Sequence, residues 1–244
     1  MSLPLVNPFS TPYEKWSERD ATPEEMRQHL EANGFVNTSA KDALLFRVAN
    51  AFEAAAYMAK VDMDNGLEFS IDRYLDGDPA YAEWTDAMPS PTPPALERYQ
   101  EEYPECDFAA ANQDVRDCGD VLSEGQFLFH AGRWPDGVDS FVTDRPLSTT
   151  FCPQVAMRNM DHKAKAHDAG QIDLLVLRAH QPRTLVFAFE RRETMMGHEK
   201  EVLFATGAEL TFRSRTLIKS DYRAAKWNCP DKLIPTYVVE VDIS

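Results

Sequence analysis

Two glutamates separated by one residue, Glu199 and Glu201, come immediately before the apolar residues Val202, Leu203 and Phe204. Side chains of a β-strand alternate between its two faces, so a strand here would place both carboxylates on the same side. Carboxylates held in one patch can stabilise positive charge that develops in a transition state, and they can accept a proton. The alternative is an ordinary strand edge with two solvated glutamates.

A second polar run, Ser148, Thr149 and Thr150, lies about fifty residues upstream. Side-chain hydroxyls in such a run can donate and accept hydrogen bonds. Runs of Ser and Thr are also common in strands without any function. The run is therefore informative only through its position ahead of the two glutamates.

The net charge of −15 is unevenly distributed along the 244 residues. Up to Thr150 there are 28 acidic and 11 basic residues, a balance of −17, and from Phe151 onward there are 12 acidic and 14 basic residues, a balance of +2. Repulsion by phosphates argues against nonspecific nucleic-acid binding by the first part, whereas the second part could accept an anionic ligand. The alternative for the acidic part is a surface that keeps the protein soluble.

Several classes of protein are disfavoured by the sequence. No apolar run reaches membrane-spanning length, and the first eight residues lack the basic flank and apolar core of a signal peptide, so we expect neither membrane association nor Sec-type export. The four cysteines have no Cys-x-x-Cys spacing and the six histidines form no ligand pattern. We expect reduced thiols and no metal site.

Helical signals dominate the first half of the chain. Residues up to about 20 are expected to form an extended arm, and Thr22, Pro23 and Glu25 predict a capped helix that Gly34 ends. Apolar residues at helical spacing predict a long helix over 39–60. Segment 67–75 suits a helix or a strand, and the proline-rich run 89–94 predicts a loop leading into a helix over 95–103.

The second half is expected to be rich in strands, because short apolar runs alternate with turn signals. The predicted strands cover 126–131, 147–151, 172–178, 184–189, 201–204, 209–214 and 236–243, with a helix over 152–169. The resulting fold class is α+β. We expect an N-terminal arm and helical region over 1–115, packed on a core over 116–244.

The order of these motifs resembles the mono-ADP-ribosyltransferase family, in particular the group that includes iota-type binary toxins. That group has an Arg on a first strand, Ser-Thr-Ser on a second and Glu-x-Glu on a later one. Ser148, Thr149 and Thr150 resemble the second motif, with Thr for the last Ser, and Glu199 and Glu201 resemble the third. Residues 190–198 occupy the place of the target-recognition loop. The resemblance covers roughly the last half and implies a core of two packed, mostly antiparallel sheets.

The first motif departs from the family pattern. The stretch 126–132 has the expected aromatic residue and Gly132, but His130 stands where the family has Arg, as in the branch of poly-ADP-ribose polymerases and diphtheria-type toxins. Arg133 follows closely and is an alternative first-motif contact. For the NAD pyrophosphate, the candidate cations are Arg133, Arg145 and Arg158. The alternative for His130 is a partly buried strand histidine with a satisfied hydrogen bond.

The resemblance implies NAD as co-substrate and a role for each motif residue. Glu201 would stabilise the oxocarbenium-like transition state and bond the ribose 2′-hydroxyl, and Glu199 would hold an acceptor guanidinium and help remove its proton. Ser148 would orient Glu201, with Thr149 and Thr150 supporting the strand. The implied cofactor-binding residues are His130, Gly132, Arg133 and the run 148–150.

The resulting hypothesis is arginine-specific mono-ADP-ribosylation of a target protein in a host or neighbouring cell. The protein would be a toxin, an injected effector or a phage-encoded modifier, cytoplasmic or delivered by a route that needs no signal peptide. Two alternatives are an NAD glycohydrolase and a catalytically inactive binding module.

Overall fold

The structure of the chain is a computed structural model, and it describes residues 2–191 and 196–244. The strands of these residues are β1 (Ser2–Leu3), β2 (Tyr13–Asp20), β3 (Ser39–Val48), β4 (Asp120–Leu122), β5 (Phe127–Gly132), β6 (Ser140–Val142), β7 (Leu147–Thr150), β8 (Ile172–Ala179), β9 (Leu185–Ala188), β10 (Glu201–Phe204), β11 (Glu209–Ala224) and β12 (Lys232–Ile243). The helices are α1 (Pro23–Asn33), α2 (Ala51–Val61), α3 (Asn65–Gly77), α4 (Pro79–Ala87), α5 (Pro94–Glu102), α6 (Phe108–Cys118), α7 (Pro153–Asp161) and α8 (Lys165–Ala169).

The main sheet has the strand order β1-β4-β9-β10-β7-β5-β8-β12-β11-β6. The pairs β1–β4 and β8–β12 are parallel, and the other neighbours are antiparallel. The expected α+β class with mostly antiparallel pairing is therefore confirmed. The ten strands form one continuous hydrogen-bonded sheet instead of the two expected sheets, and β7 meets β5 at the registered pair Phe129 and Thr150.

The first half contains more strand than the sequence predicts. The helix expected over 39–60 is wrong in its first part, because Ser39–Val48 is β3 and pairs with β2 in a two-stranded sheet. The helix α2 begins only at Ala51, where an alanine-rich run of high helix propensity starts. The extended arm is also partly wrong, since it contains β1 and β2.

Several helix predictions are confirmed. Thr22 and Glu25 form the capping box of α1, and Gly34 ends that helix in the left-handed conformation. The open question over 67–75 is settled as helix α3, which buries Leu67, Ile71 and Leu75 along one face. The loop before α5 is present, but α4 and α6 were not predicted.

The described chain divides into two compact units. The larger contains the described residues up to Pro8 together with Ala51–Ser244, and the smaller is Phe9–Asn50. The boundary expected at 115 and 116 does not coincide with this division, because α2 to α6 belong to the same unit as the later strands. Among the described helices, none is long and apolar enough to cross a membrane.

Candidate active site

Glu201 and Ser148 come together because β10 and β7 are adjacent antiparallel strands. Ser148 lies opposite Leu203 in the register, so Glu201 is its diagonal neighbour on the same face. The Ser148 hydroxyl donates a hydrogen bond of 2.5 Å to Glu201 Oε1. The sequence-predicted pairing of these two side chains is thus present in the fold.

A residue that the sequence motifs did not identify completes the surroundings of this carboxylate. Gln100 of α5 donates from Nε2 to Glu201 Oε2 at 2.8 Å, so both carboxylate oxygens accept a hydrogen bond. Glu201 is only 5% exposed. The sequence predicts that Gln100 lies on a helix, but no local pattern indicates that this helix contacts β10. In the structure, Leu96 and Tyr99 of the same helix are buried.

Burial raises the pKa of Glu201 to about 7, and the charge of Glu199 acts in the same direction. The hydrogen bonds from Ser148 and Gln100 favour the carboxylate and oppose this increase. Near neutral pH the group therefore exchanges readily between its acid and its carboxylate form.

Glu199 does not belong to the strand, and the expectation that strand alternation aligns the two glutamates is wrong. Gly197–Glu199 forms a 3₁₀ turn, and Lys200 has a left-handed backbone with φ of 52°, so the strand begins only at Glu201. The two carboxylates are nevertheless close enough for the charge of one to affect the other. Burial raises the pKa of the half-buried Glu199, against the effects of His198, Arg158, His162 and Lys165.

The two threonines hold the backbone of this region. Thr149 Oγ1 donates to the Val202 carbonyl at 2.6 Å, and Thr150 Oγ1 donates to the Glu199 carbonyl at 2.6 Å. Both side chains are buried. Their hydroxyls therefore brace β10 and the turn before it.

His130 lies on β5 and is linked to the same strand as Ser148. Its Nδ1 is 2.8 Å from the Ser148 carbonyl, which only accepts, so the proton is on Nδ1. Burial lowers the pKa of His130, Lys165 and Arg145 act in the same direction, and the Ser148 carbonyl opposes them. The ring is thus neutral, with Nε2 available as an acceptor. A Cβ on Gly132 would lie 3.3 Å from Nε2, so glycine leaves this edge of the ring open.

The expected cation Arg133 is engaged elsewhere, in an exposed ion pair with Asp136 at 2.8 Å. Arg158 pairs with Glu68 at 2.7 Å. Arg145 and Lys165 are better placed, since both affect the pKa of His130. Neither makes an ion pair within the described ranges.

Aromatic rings lie under these two cations. The Arg145 Cζ is 5.7 Å from the Phe108 ring centre and the Lys165 Nζ is 5.6 Å from that of Tyr103. The two rings are 6.0 Å apart. Lys165 was not identified from the sequence.

Residues 192–195 of the predicted recognition loop lie outside the described residues.

Comparison with family models found no match, and a search of curated proteins found none. Solved structures of toxins, some of them named as ADP-ribosyltransferases, are similar to this chain. The C2-I enzymatic component of the C2-toxin from Clostridium botulinum has 9% identity and a TM-score of 0.38 over 69% of this chain, which spans about half (48%) of that protein. Plx2a, an ADP-ribosyltransferase toxin from Paenibacillus larvae, has 7% identity and a TM-score of 0.39 over 72% of this chain and 96% of its own. Vis toxin, an ADP-ribosyltransferase from Vibrio splendidus, has 13% identity and a TM-score of 0.30 over 93% and 88%. Each TM-score is below 0.5, so these similarities carry no argument about the activity of this chain.

Proposed function

We propose that this chain is an NAD-dependent ADP-ribosyltransferase that transfers ADP-ribose to an arginine of a target protein. The observation that supports it best is the 2.5 Å hydrogen bond from Ser148 to the buried Glu201, with Glu199 beside it. This arrangement joins the second and third motifs of the resemblance into one site. The wider proposal of a toxin, injected effector or phage-encoded modifier that acts in a host or neighbouring cell has the motif resemblance as its support.

The role of Glu201 follows from its fixed position. When the bond between ribose C1′ and the nicotinamide nitrogen breaks, the electron pair leaves with nicotinamide and positive charge develops on the sugar. A carboxylate held by Ser148 and Gln100 stabilises that charge without reorganising. The positive nicotinamide ring of NAD favours the ionised form of Glu201 on binding.

Glu199 acts on the acceptor in this proposal. Its carboxylate holds the guanidinium, and it accepts the proton that leaves as the guanidinium nitrogen bonds to C1′. Its raised pKa suits a group that gains a proton during the reaction. Glu199 lies in the 3₁₀ turn that immediately precedes β10.

The dinucleotide finds suitable partners around His130. The Nε2 of the neutral ring can accept a hydrogen bond from a ribose hydroxyl. Arg145 and Lys165 can hold the pyrophosphate, in place of the expected Arg133, because their charges lie close to His130.

NAD glycohydrolysis is the second candidate, and one observation favours it. Basic side chains lie close enough to Glu199 to lower its pKa, namely Arg158, Lys165, His162 and His198. Positive charge around Glu199 opposes an incoming guanidinium. Water, being neutral, is not repelled in this way.

Labelled NAD incubated with the protein and cell extract separates the two candidates. We expect label on protein, with ADP-ribose located on arginine by mass spectrometry. Glu201→Gln should lower NAD consumption by on the order of 100-fold, because the charge-stabilising group is lost. Glu199→Gln should lower transfer and leave hydrolysis. The matched control is Glu97→Gln, the same change at an exposed glutamate.

Free ADP-ribose without labelled protein would reject transfer and support the glycohydrolase. NAD consumption by Glu201→Gln at the wild-type rate would reject the site itself.

A further inference from the structure

The helix α3 presents a row of acidic side chains, Glu68, Asp72 and Asp76. Their spacing of four residues puts them on one face of the helix. We call this row the α3 acidic face. It receives basic side chains from both sides of the segment that carries Glu199.

Lys200, the residue between the two glutamates, is 1% exposed although it carries a charge. Its Nζ donates to the His198 carbonyl at 2.7 Å and to Glu68 Oε1 at 3.2 Å, and it lies 3.1 Å from Asp72 Oδ1. Two protons of the ammonium thus have hydrogen-bond acceptors, and the Asp72 carboxylate adds an ion pair. Such a buried charge requires these partners, so the side chain is confined to one position.

Arg191 contacts the same helix from the other side of the segment. It pairs with Asp72, and its Nη1 is 2.9 Å from Asp76 Oδ1 and donates to the Asp72 carbonyl at 3.3 Å. Asp72 therefore has both Lys200 and Arg191 as partners. Arg191 and Lys200 are therefore both held by carboxylates of α3.

These contacts hold the backbone on both sides of Glu199. Lys200 Nζ bonds the carbonyl of His198, which precedes Glu199, and Thr150 Oγ1 bonds the carbonyl of Glu199 itself. The carboxylate of Glu201 is held separately, by Ser148 and Gln100. The two glutamates thus depend on different supports.

We infer that Lys200 is a positioning residue for Glu199 and that it fixes the acceptor step, but not NAD cleavage, through its contacts with the α3 acidic face. The inference rests on the proposed function. If it is correct, loss of Lys200 separates two activities that loss of Ser148 or Glu201 would reduce together.

The test compares Lys200→Met with wild type in two assays, ADP-ribose transfer to free arginine and NAD hydrolysis without acceptor. We expect the transfer rate to fall about 10- to 100-fold relative to wild type, because displacement of a catalytic group has an effect of this size. The hydrolysis rate should stay within about threefold of wild type. The variant leaves no acid of the face unpaired, since Glu68 keeps Arg158 and Asp72 keeps Arg191. The matched control is Lys219→Met, which removes a lysine paired with Asp62 at 2.6 Å and should change neither activity.

A proportional loss of both activities, or no loss of transfer, would overturn the inference while leaving the proposed function intact. If Lys200→Met does not fold, Asp72→Asn is tested in its place, because Asp72 is a partly exposed partner of Lys200. We expect the same selective loss of transfer, with a smaller fold-change. A wild type that consumes NAD without modifying arginine would instead reject the proposed transfer, and this inference with it.

Discussion

Glu201 is subject to two opposing demands at the scale of a single residue. Its burial favours the neutral acid and raises its pKa to about 7, whereas the proposed chemistry requires the carboxylate. The hydrogen bonds from Ser148 and Gln100 only partly compensate for the loss of water. The ionised form is therefore less compatible with the folded state than the neutral form.

This conflict predicts a pH-dependent gain in stability from Glu201→Gln. Between pH 4.5, the usual value for the group, and about 7, the folded wild type binds more protons than the unfolded chain, so its stability falls as the pH rises. Above pH 7 the free energy of unfolding of the wild type is lower by about 3 kcal/mol for this reason. Glu201→Gln has no ionisable group at this position, so its stability does not fall in this way. Urea unfolding at pH 5 and pH 8 measures the difference.

We expect Glu201→Gln to gain free energy of unfolding relative to wild type at pH 8 and much less at pH 5. Glu97→Gln is again the control of the same chemistry at an exposed position. If the free energies of unfolding of variant and wild type differ equally at both pH values, the raised pKa of Glu201 is contradicted.

The residues of the site differ in how far the sequence could reveal them. Ser148 and Glu201 were predictable because each lies on a strong strand pattern and their motifs occur in order. Gln100 and Lys200 were not, because their roles depend on contacts with residues about 100 and 130 positions away. Local patterns carry no information about such pairs.

At the scale of elements, the predicted strands of the second half are present because turn signals bound their apolar runs, but β11 continues to Ala224 beyond its predicted end at 214, and β4 and β6 were not predicted. The segment 39–48 was predicted wrongly. Its apolar residues match a helical period, but pairing with Tyr13–Asp20 determines its structure. Distant strand pairing overrides local spacing.

The 3₁₀ turn that carries Glu199 yields a prediction of its own, at Gly197. A Cβ there would lie 1.8 Å from the Arg191 carbonyl oxygen, and backbone atoms cannot move aside as a flexible side chain can. We expect Gly197→Ala to lower the free energy of unfolding by about 1 to 3 kcal/mol. Transfer should decline more than hydrolysis, because the turn holds Glu199.

Thermal unfolding and the two activity assays measure these effects. The control is Gly77→Ala at the end of α3, where an added Cβ meets nothing within 4 Å. Wild-type stability of Gly197→Ala would show that the turn does not approach Arg191 so closely.

The whole molecule consists of two compact units, and the candidate site belongs to one. Gln100, His130, Ser148, Glu199 and Glu201 all lie in the larger unit, as does β1. Helices before residue 115, from the region expected to pack on the core, supply Gln100 and the α3 acidic face. Sequence composition could not show this, because an acidic helical segment looks the same whether it supports a site or only covers a core.

This division predicts that the smaller unit is dispensable for NAD cleavage. Replacing residues 9–50 by a flexible linker of about 20 residues should leave a folded protein that hydrolyses NAD at close to the wild-type rate. Circular dichroism and an NAD hydrolysis assay measure the outcome. Failure to fold would show that the larger unit is not self-sufficient, whereas a folded protein without activity would assign the smaller unit a part in the chemistry.

The pairing of β1 with β4 also has a consequence for the order of folding. Ser2 and Leu3 align with Val121 and Leu122, so this contact closes a loop of nearly 120 residues, whereas β2 and β3 join residues at most 35 apart. Closing a longer loop costs more chain entropy, and contacts between distant residues form later. We expect the two-stranded sheet of β2 and β3 to be protected from hydrogen exchange early during refolding. The edge of the main sheet beside β4 should gain protection only once the chain beyond residue 122 has organised.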